Sequence, residues 1–202
     1  MTGAARAGGE PLRVTIFPLN TVLFPGGLLP LKIFEQRYLA MTKTCLAEEQ
    51  PFGVCLIKEG QEVGTPAVPQ EIGCLARIMQ WDMPQLGVFH LLTEGTERFR
   101  ILRSQVEPNG LISADIDLIA AEAVAPPRDD LCARVLKAII DKVGAAHFPA
   151  PQRFDEAAWV GYRLSEVLPL APEIKQQMLE LTDPQERLAR LAGILKQQGL
   201  GS

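Results

Sequence analysis

The hydrophobic pattern of this chain changes its period once, near residue 120, and this change constrains the fold more than any other feature. Before it, apolar residues fall in short β-rich runs separated by Gly, Pro or Asn. After it, they recur every three or four residues, the spacing of amphipathic helices. The sequence shows no β-α-β alternation, which disfavours a doubly wound nucleotide-binding fold. The pattern predicts an α+β fold, with a sheet first and helices after it.

The sheet signals cover the first 120 residues. The predicted strands are Leu12–Leu19, Val54–Lys58, Ile72–Trp81, Leu86–Glu94, Glu97–Val106 and Leu111–Ile119. Short strands at this spacing favour a closed or nearly closed antiparallel sheet, because closure removes exposed edges. A turn is predicted at residues 25–27, and one helix is predicted between Ile33 and about Glu49. Its apolar stripe consists of Phe34, Tyr38, Met41 and Cys45.

These signals divide the chain into a flexible leader at residues 1–11, a β-barrel subdomain with one inserted helix at 12–120, a linker at 121–127, a helical bundle at 128–198 and a tail at 199–202. Four helices are predicted in the bundle, with N-caps at Asp129 or Asp130, at Asp155 and at Asp183, and with Pro172 in the first turn of the third. The Asp183 cap is the clearest, because Pro184 and Glu186 follow it at the N1 and N3 positions of a capping box.

Charge and composition exclude several classes of function. The 202 residues include 20 Lys and Arg against 24 Asp and Glu, a net charge of -4 that is spread evenly. Neither half therefore has the basic excess that favours nucleic-acid phosphates. The sequence contains no apolar run of about 18 residues that would predict a membrane span, and its first residues lack the apolar core of a signal peptide. A cytoplasmic protein is expected, with Cys45, Cys55, Cys74 and Cys132 as buried, reduced thiols.

The sequence carries no recognisable catalytic motif. It contains no phosphate-binding loop, no H-E-x-x-H, no G-x-S-x-G and no C-x-x-C. His90 and His147 are far apart in sequence, and the carboxylate pairs Glu48-Glu49 and Asp115/Asp117 fall on predicted solvated faces. No catalytic residue, metal ligand or cofactor site is predicted.

Three segments carry a resemblance to a known family: FPLNTVLFPGGLLPLKIFEQRY at Phe17–Tyr38, the run Ile72–Arg100 with IGCLARI and LTEGTERFRI, and YRLSEVLPLAPEIKQQMLELTDPQERL at Tyr162–Leu188. In this order they resemble the N-terminal substrate-binding domain of Lon-type ATP-dependent proteases, and the resemblance extends over roughly Leu12 to Gln197. It implies a PUA-like β-barrel followed by a helical bundle. The motor's phosphate loop and the peptidase's serine segment are absent from the sequence, so neither activity is expected.

The resemblance further implies a non-enzymatic module that recognises unfolded or specific polypeptide segments, as an adaptor or chaperone-like factor in protein quality control. A separate protease or chaperone is a further candidate partner. Two alternatives stay open: RNA binding, which is common among PUA-like barrels but disfavoured by the acidic charge, and a small-molecule pocket in the barrel mouth. The segment Trp81–Gly87 departs from the polar, acidic turn usual in the family, so no binding preference is carried over to it.

Two groups of residues in the sheet are candidates for contact with a partner. Trp81, Met83 and Pro84 fall in a predicted hairpin turn, where they would expose apolar area typical of interfaces; alternatively, Trp81 folds back onto the helical half. Arg98 and Arg100 should emerge together on one strand face. They form either a basic strip for acidic peptides or RNA, or a solvated face balanced by nearby carboxylates.

A third candidate group is the charged pair Glu35 and Arg37 at the start of the inserted helix. Charged residues rarely serve a core unless they are paired. The pair therefore either contacts a partner directly or braces the helix start against the barrel through salt bridges or backbone contacts.

Overall fold

The computed structural model describes residues 11–200. Residues 1–10 of the predicted leader and residues 201–202 of the predicted tail lie outside this range. The elements in chain order are β1 (Leu12–Leu19), β2 (Leu28–Ile33), α1 (Gln36–Glu48), β3 (Phe52–Glu59), β4 (Val68–Pro69), β5 (Ile72–Gln85), β6 (Val88–Val106), β7 (Ile112–Leu118), α2 (Leu131–Val143), a 3-10 turn (Ala145–His147), α3 (Ala157–Val167), α4 (Pro172–Glu180) and α5 (Pro184–Gln197).

Five of the strands close into a barrel-like ring. The antiparallel neighbours run in the order β1, β7, β6, β5 and β3, and β3 returns to β1 through a parallel pairing from Ile16↔Gly53 to Leu19↔Leu56. Alternate residues of each strand face inward, and buried side chains such as Ile16, Phe99 and Ile116 fill the ring. The predicted α+β fold, a barrel followed by helices, is confirmed, with one parallel pair among otherwise antiparallel strands in residues 11–200.

The strand β6 extends beyond the ring, and there the sequence prediction was wrong. Leu86–Glu94 and Glu97–Val106 were predicted as two strands, whereas Val88–Val106 is a single strand of 19 residues. Gly95 lies inside it because another backbone approaches closely: its N–H donates to the Gly27 carbonyl at 2.8 Å, and a Cβ there would lie 2.2 Å from the Phe24 carbonyl oxygen. Gly95 therefore marks a contact between chain segments and not a strand end.

The sequence prediction also missed β2, which contains Pro30. β2 pairs with the outer part of β6, from Leu28↔Glu94 to Ile33↔Phe89, and the described residues place no strand on its other side. Proline is tolerated in such an edge strand because its missing N–H can face away from the ladder. The following helix starts at Gln36, so Phe34 precedes it and is exposed. Tyr38, Met41 and Cys45 are buried in an apolar core that also contains residues of β1 and of the β5–β6 hairpin.

The helical half packs against one side of the ring. α3 is buried on nearly all its faces, and its Val160 and Leu164 contact the same core as Leu136 of α2 and Leu191 of α5. The ring contributes Leu56 and Ile72 to this core, and the loop between β1 and β2 contributes Phe24. A continuous apolar core thus joins the two halves of the chain.

Removal of the α5 cap should cost measurable stability. The Asp183 carboxylate accepts a hydrogen bond from the Gln185 N–H at 2.8 Å, whereas the N-cap of α3 is Glu156, without a side-chain cap, and not the predicted Asp155. We expect Asp183→Ala to lower the free energy of unfolding in urea by about 1 kcal/mol. The matched control Asp155→Ala should change it by less than about 0.5 kcal/mol. Equal losses in the two variants would contradict this assignment.

Candidate functional site

The ring and the helices meet at a seam built around the buried carboxylate of Glu122. Arg187 of α5 donates to both of its oxygens, with Nη1 at 2.8 Å from Oε2, and the Arg98 guanidinium of β6 lies 3.1 Å from Oε1. The Tyr162 hydroxyl also donates to Oε1, and the Arg187 guanidinium stacks 4.1 Å from the Tyr162 ring centre. One carboxylate thus gathers side chains from β6, α3 and α5.

Two buried arginines share a single carboxylate at this seam, and backbone carbonyls satisfy much of their remaining hydrogen-bonding capacity. Arg98 Nη1 donates to the Leu179 carbonyl at 2.8 Å, and Arg187 Nε donates to the Met178 carbonyl at 2.8 Å. The predicted exposed strip of Arg98 and Arg100 is therefore wrong: Arg98 is only 3% exposed. The helical half covers it, while Arg100 stays in solvent near Glu71.

A second buried arginine site fixes the Pro25–Gly27 turn. Arg163 of α3 is fully buried and donates to the carbonyls of Pro25 and Gly26, with Nη2 at 2.8 Å from the former. The same nitrogen lies 2.9 Å from Glu166 Oε1. Gly27 packs directly on this carboxylate, so a side chain at that position would collide with it.

The environment of Glu166 changes its ionisation. Burial raises the pKa of Glu166 to about 7, although Arg163 and Lys175 oppose the shift. Burial also lowers the pKa of Lys175, whose Nζ donates to the Glu166 carbonyl oxygen at 2.7 Å. Perturbed ionisable groups beside a cavity are typical of functional sites, although structural ion pairs produce them too.

Several apolar side chains are exposed at the outer end of the β5–β6 hairpin and just after β2. We define the hairpin-tip surface as Phe34, Met79, Trp81, Met83, Pro84 and Leu86. Trp81 is 55% exposed and Leu86 is 92% exposed. Trp81 packs edge-on against Phe89 of the same hairpin, with ring centres 5.7 Å apart. Trp81, Met83 and Pro84 lie in β5 itself, since the turn falls at residues 86–87.

The remaining predicted site residues lie at the base of α1. Arg37 and Glu35 form an ion pair at 3.0 Å, and Arg37 Nη1 donates to the Gly110 carbonyl at 3.0 Å. The Arg37 side chain is nearly buried. The pair thus links the start of α1 to the β6–β7 turn, which corresponds to the bracing interpretation.

Two cavities lie against the helical half, outside the ring, whose interior is packed around Phe99. A cavity of about 520 Å³ lies between β2 and the helices, and it includes Leu29, Phe148, Glu166 and Lys175. A second, of about 370 Å³, lies across the seam beside Trp159 and Tyr162.

The other chemically reactive side chains lie in inert surroundings. Burial raises the pKa of the Cys45 and Cys132 thiols to about 11, and raises those of Cys55 and Cys74 further. Thiolates, the reactive form, are therefore scarce at neutral pH. Residues 11–200 bring together no cluster of His, Cys, Asp and Glu able to hold a metal ion, and none of their helices is long and apolar enough to cross a bilayer.

Residues 13–197 match the family model of the ATP-dependent protease La (LON) substrate-binding domain. The chain belongs to the Lon substrate-binding domain family. It is 27% identical over 193 residues to a Lon protease of Paraburkholderia phytofirmans, covering 90% of this chain and 24% of that protein. It is 25% identical over 199 residues to a Lon protease of Anaeromyxobacter dehalogenans, covering 93% and 23%. The chain therefore spans about a quarter of the length of these relatives.

Solved structures of this family share the fold. The Lon N-terminal domain protein from Xanthomonas campestris superposes with a TM-score of 0.76 at 35% identity, covering 90% of this chain and 98% of that one. The N-terminal domain of the Mycobacterium avium complex Lon protease superposes with a TM-score of 0.66 at 19% identity, covering 90% and 97%. This second likeness shows the fold alone.

The buried charges of the seam were not predicted from the sequence, although one signal for them exists. Arg163 and Arg187 both lie within the third Lon-like segment, and Arg163 stands in a helix, AAWVGYRLSEV, that is apolar on most sides. A helix of that kind is buried in its domain, so a charge within it must have buried partners. Glu122 carries no such signal, because it lies in a predicted linker.

Removal of the Glu122 charge should destabilise the whole protein. Glu122→Gln leaves Arg98 and Arg187 without a carboxylate in a buried site, and we expect a loss of about 3–5 kcal/mol in the free energy of unfolding. Glu186→Gln removes the partner of Arg190 from an exposed pair. That control should lose less than about 1 kcal/mol in the same denaturant titration. Similar small losses in both variants would refute a central role for Glu122.

The raised pKa of Glu166 predicts a pH dependence of stability. The folded state holds the proton more tightly than the unfolded chain, so Glu166 favours folding most below about pH 4 and loses this contribution as the pH rises towards 7. We expect the difference in unfolding free energy between the wild type and Glu166→Gln to shift against the wild type by about 2 kcal/mol over that range. Denaturant titrations from pH 4 to 8 measure it; a pH-independent difference would contradict the burial of this carboxyl.

Proposed function

We propose that this chain is a non-enzymatic recognition module that holds polypeptide segments on its hairpin-tip surface, as an adaptor or chaperone-like factor in the cytoplasm. The observation that carries the proposal is the exposed apolar area of that surface, where Phe34, Met79, Trp81 and Leu86 stand in solvent at one end of a long hairpin. Exposed apolar patches mark interaction sites, and aromatic and Met side chains are enriched in them. The family description, a substrate-binding domain, supports polypeptide as the class of ligand.

The arrangement of the hairpin suits a flexible ligand. Its inner residues, including Phe89 and Leu91, are buried in the same apolar core as Tyr38 and Met41 of α1, and this core fixes the hairpin to the body of the protein. Trp81 rests on Phe89, so its ring is held in place while about half of it stays accessible. A rigid aromatic side chain binds with little loss of conformational entropy, which favours contact with an unfolded partner that must itself become ordered.

The distribution of basic residues supports polypeptide over RNA. Arg98 is buried, and Arg103 pairs with Asp115 at 2.9 Å. The net charge is -4. Binding to phosphates would need several free cations, and its affinity would fall steeply with added salt.

Truncation of the hairpin-tip surface should weaken polypeptide binding. We expect the double variant Trp81→Ala/Leu86→Ala to bind a reduced, carboxymethylated model protein about tenfold or more weakly than the wild type, since it loses two apolar contacts worth roughly 1 kcal/mol each. Leu102→Ala, an exposed apolar residue on another part of β6, is the matched control and should bind as the wild type does.

Fluorescence anisotropy of the labelled model protein measures these affinities at two salt concentrations. Affinity that is retained at high salt supports apolar contacts. No binding by the wild type, or equal losses in the double variant and the Leu102→Ala control, would overturn the proposal. A labelled RNA that binds more tightly than the model protein, and releases with salt, would replace it with the RNA alternative.

A further inference from the structure

A second apolar surface lies on the outer side of the seam and has no residue in common with the hairpin-tip surface. We define the seam groove as the cavity of about 520 Å³ between the ring and the helices. Val22 and Leu29 form its wall on the ring side, and Ile139 and Phe148 form its wall on the helical side. Its volume lies within the range of ordinary ligand pockets, roughly 300–1,000 Å³.

The rim of the seam groove leaves apolar side chains in solvent. Leu28 of β2, Val143 of α2 and Val167 of α3 line it, and all three are among the exposed large apolar residues of the chain. They come from three separate elements, so their convergence is a property of the fold. A groove with apolar walls and an apolar rim favours a ligand that brings apolar area of its own.

Glu166 and Lys175 form the polar floor of the seam groove. The Glu166 carboxylate is already paired with the buried Arg163, and the exposed His147 also belongs to the lining. Glu166 Oε1 accepts from Arg163, while no donor within residues 11–200 reaches its second carboxylate oxygen. Lys175 Nζ uses one N–H on the Glu166 carbonyl and has two more. The floor therefore offers one acceptor and further donors side by side.

We propose that the seam groove binds a neutral, apolar stretch of polypeptide, with a backbone amide of the ligand bridging Lys175 and Glu166. A peptide group has both the acceptor and the donor that these two residues can bind, because its C=O accepts from Lys175 and its N–H donates to Glu166. A carboxylate ligand could accept from Lys175, but it has no N–H to donate to Glu166, so it would satisfy only one of the two groups. The apolar side chains on either side of that amide contact Leu29 and Phe148.

The proposal takes its class of ligand from the proposed function but uses a different surface. The hairpin-tip surface and the seam groove share no residue. A polypeptide that contacts both would be held at two points, and such linked contacts raise the total affinity. Each site is therefore testable without the other.

The location of binding can be read from methyl resonances. The probe is an acetylated and amidated hexapeptide of alternating Leu and Asn, which carries no charge. Titrated into the 22.1 kDa protein with labelled methyl groups, it should shift Leu28, Val143 and Val167 and leave Leu12 and Leu102 unchanged. Shifts confined to the hairpin, or no shifts at all in the groove, would overturn the proposal.

Substitutions then separate the two sites. Lys175→Met keeps the length of the side chain but removes the donor, and we expect about fivefold weaker binding of the hexapeptide, the factor for one hydrogen bond. Val167→Glu places a charge on the rim and should weaken binding at least as much. Lys137→Met, on the exposed face of α2 outside the groove, is the matched control.

The outcomes distinguish the two proposals. Groove variants that bind the hexapeptide as the wild type does refute the groove, whatever the hairpin variants do. If the wild type binds the unfolded model protein and only Trp81→Ala/Leu86→Ala loses it, the proposed function stands and this inference fails. An analogue with Glu in place of Asn, or octanoate, that shifts the groove methyls more strongly than the neutral peptide would also refute it.

Discussion

The two halves of this protein depend on three buried arginines for their relative orientation. Apolar packing supplies attraction between the ring and the helices, but the hydrophobic effect is non-directional and would accept many arrangements. The N–H donors of a guanidinium have a fixed planar geometry, so its acceptors must lie in particular positions. The acceptors of Arg98 and Arg187 are Glu122 and the carbonyls at the end of α4. Those of Arg163 are the carbonyls of the Pro25–Gly26 turn. The orientation of the helices follows from these bonds.

The surfaces proposed for binding follow from that orientation. The seam groove exists only because the helices lie at a defined distance from β2, with Lys175 of α4 and Glu166 of α3 brought to the same floor. The hairpin-tip surface depends on it less, because it lies at the outer end of the hairpin, away from Ile72 and Arg98, where β5 and β6 contact the helical half. The proposed polypeptide contact is therefore coupled to the seam in the groove and less so at the hairpin tip.

Local sequence patterns predicted helices and strands well where residues adjacent in sequence determine the structure. They predicted poorly where segments distant in sequence come into contact. The alternation at Ile112, Ala114 and Ile116 and the cap at Asp183 both appear as expected. A glycine such as Gly95 usually indicates a strand end. Here glycine is needed because the backbone of Phe24, about seventy residues earlier, leaves no room for a side chain. Arg98 has the pattern of a solvated face, yet helices that begin more than thirty residues later cover it. For the same reason an exposed position for Trp81 could be expected from the residues around it, whereas no local pattern predicts the seam groove.

The closure of the ring also affects the order in which the strands can pair during synthesis. β1 is made first, yet its partners are β3 and β7, and Leu12 pairs with Ile116 roughly a hundred residues later. Forming a contact between residues so far apart in sequence costs loop-closure entropy, and the contacts of the complete ring offset this cost. On a ribosome, β1 can pair with β3 early, but its other edge stays open until β7 has been made, and the arginines of α3 and α5, which join the halves, are made later still. A protein proposed to hold unfolded chains therefore exposes one edge of its own first strand during synthesis.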